Sequence, residues 1–393
     1  MGGPGFWRCL LLAYLIQTHS SPRQLARLVN ALNGPEVEFF VHVDRKVDTG
    51  QFRYLMRRQR NVHFVFPRQI IEWGGWAMVE AELILIKRAI RAGATHMTLL
   101  SGTDYPVWSN RRLTEFFLST NQNFVEHFRI PSVYWDRGAL NRVRQYWLCD
   151  DPIRMKSELW YRTFGKVWRS VWHRVIRRYT NLAFKVGYEI GIHRKMPANM
   201  APYVGSQWWS ISRECGEYLL DFVRSNPKVV RFYRHSHVPD EGFIQTVLMN
   251  SPLKPTIVND NLRYVEWDGG FNPRVLEIGD LDAVVKSGSA FARKLSLNWI
   301  KDVSGRSISS EALMLAMDAR RKAEEETWSA QRAAREIELR NGKAAAREVE
   351  TNGHGRAESA ALRRAGIVVD VAQTATPAGR EATAPPLAKN PIT

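Results

Sequence analysis

The chain has 393 residues, 45% of them hydrophobic and 24% charged, a balance that excludes wholesale disorder and suits one large α/β domain with an appendage or two ordinary domains. Lys and Arg total 56 against 39 Asp and Glu, so the net charge of +17 implies an anionic partner: nucleic acid, lipid headgroups, a nucleotide diphosphate or an acidic glycan. Three cysteines, Cys9, Cys149 and Cys215, are too few for a disulfide scaffold and lack metal-ligand spacing, which points to a reducing compartment and away from a zinc site.

The stretch Phe6–Ile16 has the apolar core of a short signal peptide but neither a basic start nor a small-residue cleavage site, and it reads as a buried first strand. No apolar run approaches the ~20 residues of a transmembrane helix. From there to about residue 127, apolar runs alternate with amphipathic stretches, the pattern of βαβ units and a largely parallel sheet. Strands are predicted at Leu10–Gln17, Glu36–Val43, Val62–Phe66, Thr95–Leu100 and Asn123–Glu126. Ser21-Pro22 reads as an N-cap and first helical turn, followed by Leu25, Leu28, Val29 and Leu32 at helical spacing and closed by Gly34. A second helix, Trp76 to Ala92, carries Val79, Leu83, Ile86 and Ile90 on one face and ends at Gly93. Open sheets of this kind bind ligands beyond the carboxyl ends of their strands, here near His19, Asp44 and the Ser101-Gly-Thr-Asp104 turn.

Residues 129 to 200 change character. Trp160, Phe164, Trp168, Val171, Val175 and Tyr179 recur at three- and four-residue spacing among many basic residues, and residues 152–185 hold nine Lys or Arg against the single acid Glu158. This is a basic amphipathic helix whose stripe either packs on the core, the favoured reading, or meets a membrane surface. Beyond about 305, residues 309–350 are Ala-, Glu- and Arg-rich and read as helix, whereas 351–393 lack core-forming residues and read as disordered.

Eight short stretches belong together: Ala13–His19, Val41-His-Val-Asp-Arg-Lys46, Trp73-Gly-Gly-Trp76 with Val79-Glu-Ala-Glu82, Leu99–Pro106, Asn123-Phe-Val-Glu126, Gly205-Ser-Gln-Trp208, Pro239-Asp-Glu241 with Gln245-Thr246, and Phe291-Ala-Arg-Lys294. In this order and at these intervals the chain resembles the core-2/I-branching β-1,6-N-acetylglucosaminyltransferase family, which includes peptide O-xylosyltransferases, in a bacterial-type form. The resemblance runs from about residue 11 to 300. It implies a GT-A-like α/β fold, an open mostly parallel sheet flanked by helices, and inverting transfer from a UDP-sugar to an acceptor hydroxyl with no metal or other cofactor. The expected organisation is a glycosyltransferase domain over 1–304, with the basic insertion at about 150–195, a helical extension over 305–350 and a disordered tail over 351–393.

Inverting transfer needs a base for the acceptor proton and positive charge for the departing diphosphate. In Pro239-Asp-Glu241, Asp240 is placed to cap the helix that opens there and Glu241 projects from its first turn. On residue types alone both would be ordinary first-turn acids; by similarity to the family's Pro-Asp-Glu, Glu241 is the base. Lys294 matches the family's diphosphate-binding lysine. The arginine expected with it is Arg274, a loose match, or else Arg263. His19, Asp44 and Asp104 match donor-site positions, and a lone carboxylate at Asp104, where metal-dependent relatives carry Asp-x-Asp, makes a poor magnesium site. Asp280-Leu-Asp282 reads as a helix start. Glu126 and Trp267 match positions that touch the acceptor sugar, through carboxylate hydrogen bonds and indole stacking, whereas Trp208 and Trp209 fit core positions equally well.

The resulting expectation is a cytoplasmic enzyme, peripheral at the membrane, with UDP-GlcNAc as first donor, UDP-xylose second and glucuronic acid transfer also open. Its acceptor would be a glycan or lipid-linked glycan, and its further partner an anionic membrane surface. The rival readings are a basic nucleic-acid-binding protein, for which no RRM, KH or C₂H₂ pattern is present, and a catalytically inactive carbohydrate-binding relative.

Overall fold

The computed structural model describes residues 11–150, 166–268, 273–302 and 304–351. The continuous apolar runs become central strands because both faces of the sheet are covered: Leu12–Ile16, Phe39, Val41, Met97, Leu99 and Leu100 are all fully buried or nearly so. In chain order the strands are β1 (Leu12–Thr18), β2 (Val37–Val43), β3 (Val62–Phe64), β4 (His96–Ser101), β5 (Tyr105–Pro106), β6 (Asn123–Val125), β7 (Phe128–Arg129), β8 (Tyr203–Val204), β9 (Trp209–Ser212), β10 (Ile257–Val258), β11 (Arg263–Val265), β12 (Phe291–Arg293), β13 (Ile300–Lys301) and β14 (Ser307–Ile308). Seven of them form the main sheet in the order β10-β6-β9-β4-β1-β2-β3. Every pairing in it is parallel except those of β9, which runs antiparallel to β4 and β6. This is the open, mostly parallel, helix-flanked α/β sheet that the sequence predicts.

One apolar core lies on each face. The helix Pro22–Leu32 buries Leu25, Leu28, Val29 and Leu32 against one face, and the helix Ala77–Arg91 buries Val79, Leu85, Ile86 and Ala89 against the other. Ser21 stands before the first helix as expected, but with a left-handed backbone and no side-chain cap bond; Pro22 at the first turn does the ordering instead. A smaller sheet, β11-β12-β5, leans on the main one, with β11 and β12 parallel and β5 antiparallel.

Two expectations need correction, one of extent and one of packing. The first compact unit runs through Asp318, beyond the boundary placed near 304. The helix Glu311–Thr351 begins inside it, with Leu313, Met314 and Met317 buried in the core and Asp318 accepting hydrogen bonds from Arg27 and Tyr105. Residues 319–351 of that helix belong to the second unit. The tail at 352–393, read as disordered, lies outside the described residues, as do Trp160 and Phe164. The basic helix is present as Lys166–Glu189, but its apolar stripe does not pack on the core where its side chains are described: Val175, Tyr179, Leu182 and Val186 are exposed. No helix among the described residues is long and apolar enough to cross a membrane.

Candidate active site

Strand direction assembles the site. β1, β2, β4 and β6 all point one way, so His19, Asp44, the Ser101–Asp104 turn and Glu126 emerge at one edge of the sheet. Because β9 is antiparallel, the Gly205–Trp208 segment enters at that same edge. The Pro239–Glu241 turn is fastened there by backbone bonds from Gly205 N to Glu241 O at 2.9 Å and from Val238 N to Gly74 O at 3.0 Å. The close fit at Gly205 admits no side chain, since a Cβ there would lie 1.8 Å from the carbonyl oxygen of Glu126. Four of the eight motifs thus meet within one backbone network.

The two acids of Pro-Asp-Glu part company. Glu241 is partly exposed, and its Oε2 accepts from Arg142 Nη1 at 2.6 Å; the Arg142 guanidinium in turn lies 4.3 Å from the centre of the Trp135 ring. Asp240 turns inward instead. It is 3% exposed, its Oδ1 has no hydrogen-bond donor among the described residues, and it caps no helix, Gly242 holding the N-cap position of the helix Phe243–Met249. Burial and then the charge of Glu241 push the Asp240 carboxyl up from its ordinary value. Beneath it, fully buried Glu82 is raised well above the ordinary range by burial and by Asp240, while Gln207 Nε2 bonds Glu82 Oε1 and Gln17 Oε1, each at 3.2 Å. The site floor is therefore a buried carboxyl and amide network that favours protonated acids.

Glu126 stands beside Glu241. Burial, then Asp260 and Glu241, push its carboxyl up to about 7, and its Oε2 accepts from Asn261 Nδ2 at 2.7 Å. Trp267 is half-buried at the end of the small sheet, two residues beyond β11.

The cations are arranged differently from the sequence reading. Arg263 is buried, donating to the carbonyls of Leu99 and Asn261 and lying close to Asp104, so it faces inward. Arg274 is committed to Asp280, at 2.8 and 3.0 Å, and to Glu266. Asp280 also accepts from Glu277 N in a capping box, which bears out its reading as a helix start. Asp104 is fully buried; its oxygens accept from Ser101 N at 3.0 Å and Ser101 Oγ at 3.1 Å, and Arg293 Nε lies 3.6 Å away. Its position is beneath the cleft as an anchor for guanidinium groups.

Arg293 is the residue the sequence reading passed over, although it sits within Phe291-Ala-Arg-Lys294. Its guanidinium stacks on Trp208 at 4.3 Å and lies within electrostatic reach of both Asp104 and Glu241. Its Nε and Nη1 are buried and donate no hydrogen bond among the described residues. Lys294 is half-buried beside it and holds its charge less readily than an exposed lysine, owing to burial and the Arg293 charge. Arg142 was likewise missed; its partner Glu241 lies 99 residues away, and no local pattern marks such a pair. Toward the other end of the edge His19 is exposed, and Asp44 is buried with Oδ1 accepting from Lys46 N at 2.9 Å and Oδ2 3.5 Å from Lys46 Nζ.

The Core-2/I-Branching enzyme family matches residues 12–284, so the chain belongs to that glycosyltransferase family. Rat xylosyltransferase 2 is 28% identical over 272 residues, covering 65% of this chain and 26% of the relative. Beta-glucuronosyltransferase GlcAT14A of Arabidopsis thaliana is 26% identical over 303 residues, covering 72% of this chain and 60% of the relative. The chain thus spans about a quarter of the length of the xylosyltransferases it matches. Among solved structures, a mannose-1-phosphate geranyltransferase from Thermus thermophilus covers 63% of this chain and 67% of its own, at 12% identity and a TM-score of 0.23, too low to carry an inference.

Proposed function

We propose that the chain is an inverting glycosyltransferase that moves one sugar from a UDP-sugar to a hydroxyl of a glycan or lipid-linked glycan, without a divalent metal. The observation that carries this is a partly exposed carboxylate, Glu241, within electrostatic reach of the Arg293 guanidinium, which has Lys294 next to it, at the carboxyl edge of the sheet. In the step, Glu241 accepts the acceptor hydroxyl proton as that oxygen bonds to the anomeric carbon. The bond from that carbon to the β-phosphate oxygen breaks, and its electron pair leaves with UDP. Arg293 and Lys294 hold the developing phosphate charge by charge-assisted hydrogen bonds, the service a cation gives elsewhere. Arg293 takes the part expected of Arg274 or Arg263, whose guanidinium groups are already engaged.

His19 and Asp44 receive the nucleotide, and Glu126 and Trp267 the acceptor sugar. Asp104 supports this assembly by orienting Arg293; flanked by two guanidinium groups, it is poorly suited to a magnesium ion. GlcNAc stays the first sugar of this reading. The names of the relatives support xylose and glucuronic acid as its competitors. The reading places the enzyme in the cytoplasm, peripheral at a membrane.

The test is a donor screen: purified protein, UDP-GlcNAc, UDP-xylose and UDP-glucuronic acid, with UDP release followed in the presence and absence of EDTA and of candidate acceptors. Release from one donor that survives EDTA is the expected result. Release that needs a metal refutes the metal-free mechanism, and retention of DNA with no UDP release from any donor favours the nucleic-acid reading.

A further inference from the structure

The helix Lys166–Glu189 has two faces, separable by helical periodicity. Arg177, Asn181 and Phe184 point into the protein: Arg177 Nη1 reaches Cys149 O at 3.4 Å, Asn181 brackets the backbone of Leu148 with bonds of 2.8 and 3.1 Å, and the Phe184 ring packs at 5.6 Å from that of Tyr146. Val175, Tyr179, Leu182 and Val186 follow the same alternation of four- and three-residue steps, two residues out of phase, and so occupy the opposite face. They are exposed by 38%, 66%, 54% and 53%, and Ile190 and Ile192, just past the helix end, by 71% and 61%. Arg178 and Lys185 are exposed among them. A contiguous aliphatic stripe of this size on a soluble surface marks an interaction site.

We propose that this stripe is the surface by which the protein docks on an anionic lipid bilayer, lying parallel to it with the aliphatic side chains inserted at the headgroup level. Arg178 and Lys185, exposed within the stripe, supply complementary charge, in a stretch whose sequence, 152–185, holds nine Lys or Arg against one acid. That same charge opposes a second copy of the chain as occupant, because two such faces would repel. The stripe also disfavours nucleic acid, since it offers bases a single ring, Tyr179, among Val, Leu and Ile side chains that give no stacking surface. The opposite face of this helix is anchored to the segment Tyr146–Cys149 that follows Arg142, the partner of Glu241. Docking therefore sets the active site beside the lipid headgroups, where a lipid-linked acceptor would be presented. The docking rests on the surface alone, while its benefit to the acceptor rests on the glycosyltransferase reading.

The test is sedimentation of the full chain with vesicles of phosphatidylcholine alone and of phosphatidylcholine with a quarter phosphatidylglycerol. Binding is expected to the anionic vesicles, weakening as salt is raised. The double variant Tyr179→Glu, Leu182→Glu should bind at least about tenfold more weakly, and Arg178→Glu with Lys185→Glu should do the same. Circular dichroism should confirm that both variants are folded, and UDP release in solution should be unchanged, which separates this proposal from the activity reading. Absence of binding, binding indifferent to lipid charge, or binding untouched in the folded stripe variant overturns it. So does a stripe variant that dissociates a dimer or loses DNA retention while keeping its lipid affinity.

Discussion

Replacing Glu241 by Gln tests the base with little disturbance of the surrounding structure. The Gln side chain keeps an acceptor oxygen for Arg142 Nη1, 2.6 Å from Oε2 in the wild type, but loses the charge. A hydrogen bond to a charged partner is worth about 1 kcal/mol more than a neutral one, and this pair is partly exposed, which reduces the difference. Against that small loss stands relief for Asp240 and Glu126, both of which feel the Glu241 charge. Net stability should therefore change by about 1 kcal/mol or less. Transfer should respond far more, because general-base assistance contributes ~10²–10⁴-fold, or about 2.7–5.5 kcal/mol of activation free energy. The assays are calorimetric UDP binding, single-turnover transfer and urea unfolding of the same preparation. Unchanged UDP affinity and midpoint with a transfer rate reduced by that factor is the expected outcome. Wild-type transfer by a folded Glu241→Gln, with transfer lost in Glu126→Gln, would move the base to Glu126, whose raised carboxyl is the nearest competitor.

Three further outcomes follow from the geometry. Arg293→Ala and Lys294→Ala should each lower turnover by roughly ten- to a thousand-fold, on the scale of losing one oxyanion-stabilising donor, whereas Arg274→Ala should chiefly loosen its Asp280 and Glu266 contacts; turnover ranked the other way would reinstate Arg274. Burial and the neighbouring Glu241 charge raise the Asp240 carboxyl above its ordinary value, so the native state holds the extra proton: its contribution to stability is full below the ordinary carboxylate range and is lost as pH rises through the raised value. Asp240→Asn should accordingly flatten the dependence of the unfolding midpoint on pH above the ordinary carboxylate range and raise it at the alkaline end, and an unchanged pH profile would show that Asp240 is ionised in the fold. Ending the chain at residue 304 strips out fully buried Leu313 and Met314 and nearly buried Met317, at roughly 1.5–3 kcal/mol each, a sum comparable to a domain's whole stability; a truncated protein that melts like the full chain would show that these contacts contribute nothing.

Which parts of this were legible in the sequence follows from how local each signal is. Leu12–Ile16, Phe39–Val43 and Met97–Leu100 announce themselves because a strand buried on both faces is apolar at nearly every position, His42 and Thr98 being the polar exceptions here. The strand β9, four residues from Trp209 to Ser212, carries no such run, and its antiparallel direction depends on which neighbours remain for it to pair with. The basic helix shows the limit of periodicity. Spacing identifies an amphipathic helix but not which face turns inward, and here the polar series Arg177 and Asn181 faces the protein while Val175, Tyr179 and Leu182 face solvent. At the far end, Leu313, Met314 and Met317 already form a short helical apolar pattern, hidden by an Ala-, Glu- and Arg-rich context that suggested an extension without a core.

The site divides along the same line. Its acids were findable because Pro239-Asp-Glu241 and Asn123-Phe-Val-Glu126 are local patterns at predicted element ends. Its cations were not, because 56 Lys and Arg give no local sign of which are neutralised. Arg263 loses its freedom to the carbonyl of Leu99, a contact fixed only when the small sheet docks on the large one, and Arg274 to Asp280, six residues along the chain, through the fold of the intervening turn. Arg293 keeps its donors because β12 pairs with β5 just beyond the Ser101–Asp104 turn, which brings the guanidinium to Asp104 at 3.6 Å and onto Trp208, too far from Asp104 for a hydrogen bond. A buried guanidinium with two idle N–H groups is costly unless something anionic completes it. That cost, borne beside Lys294 and within electrostatic reach of Glu241, is the physical reason to place the departing diphosphate there.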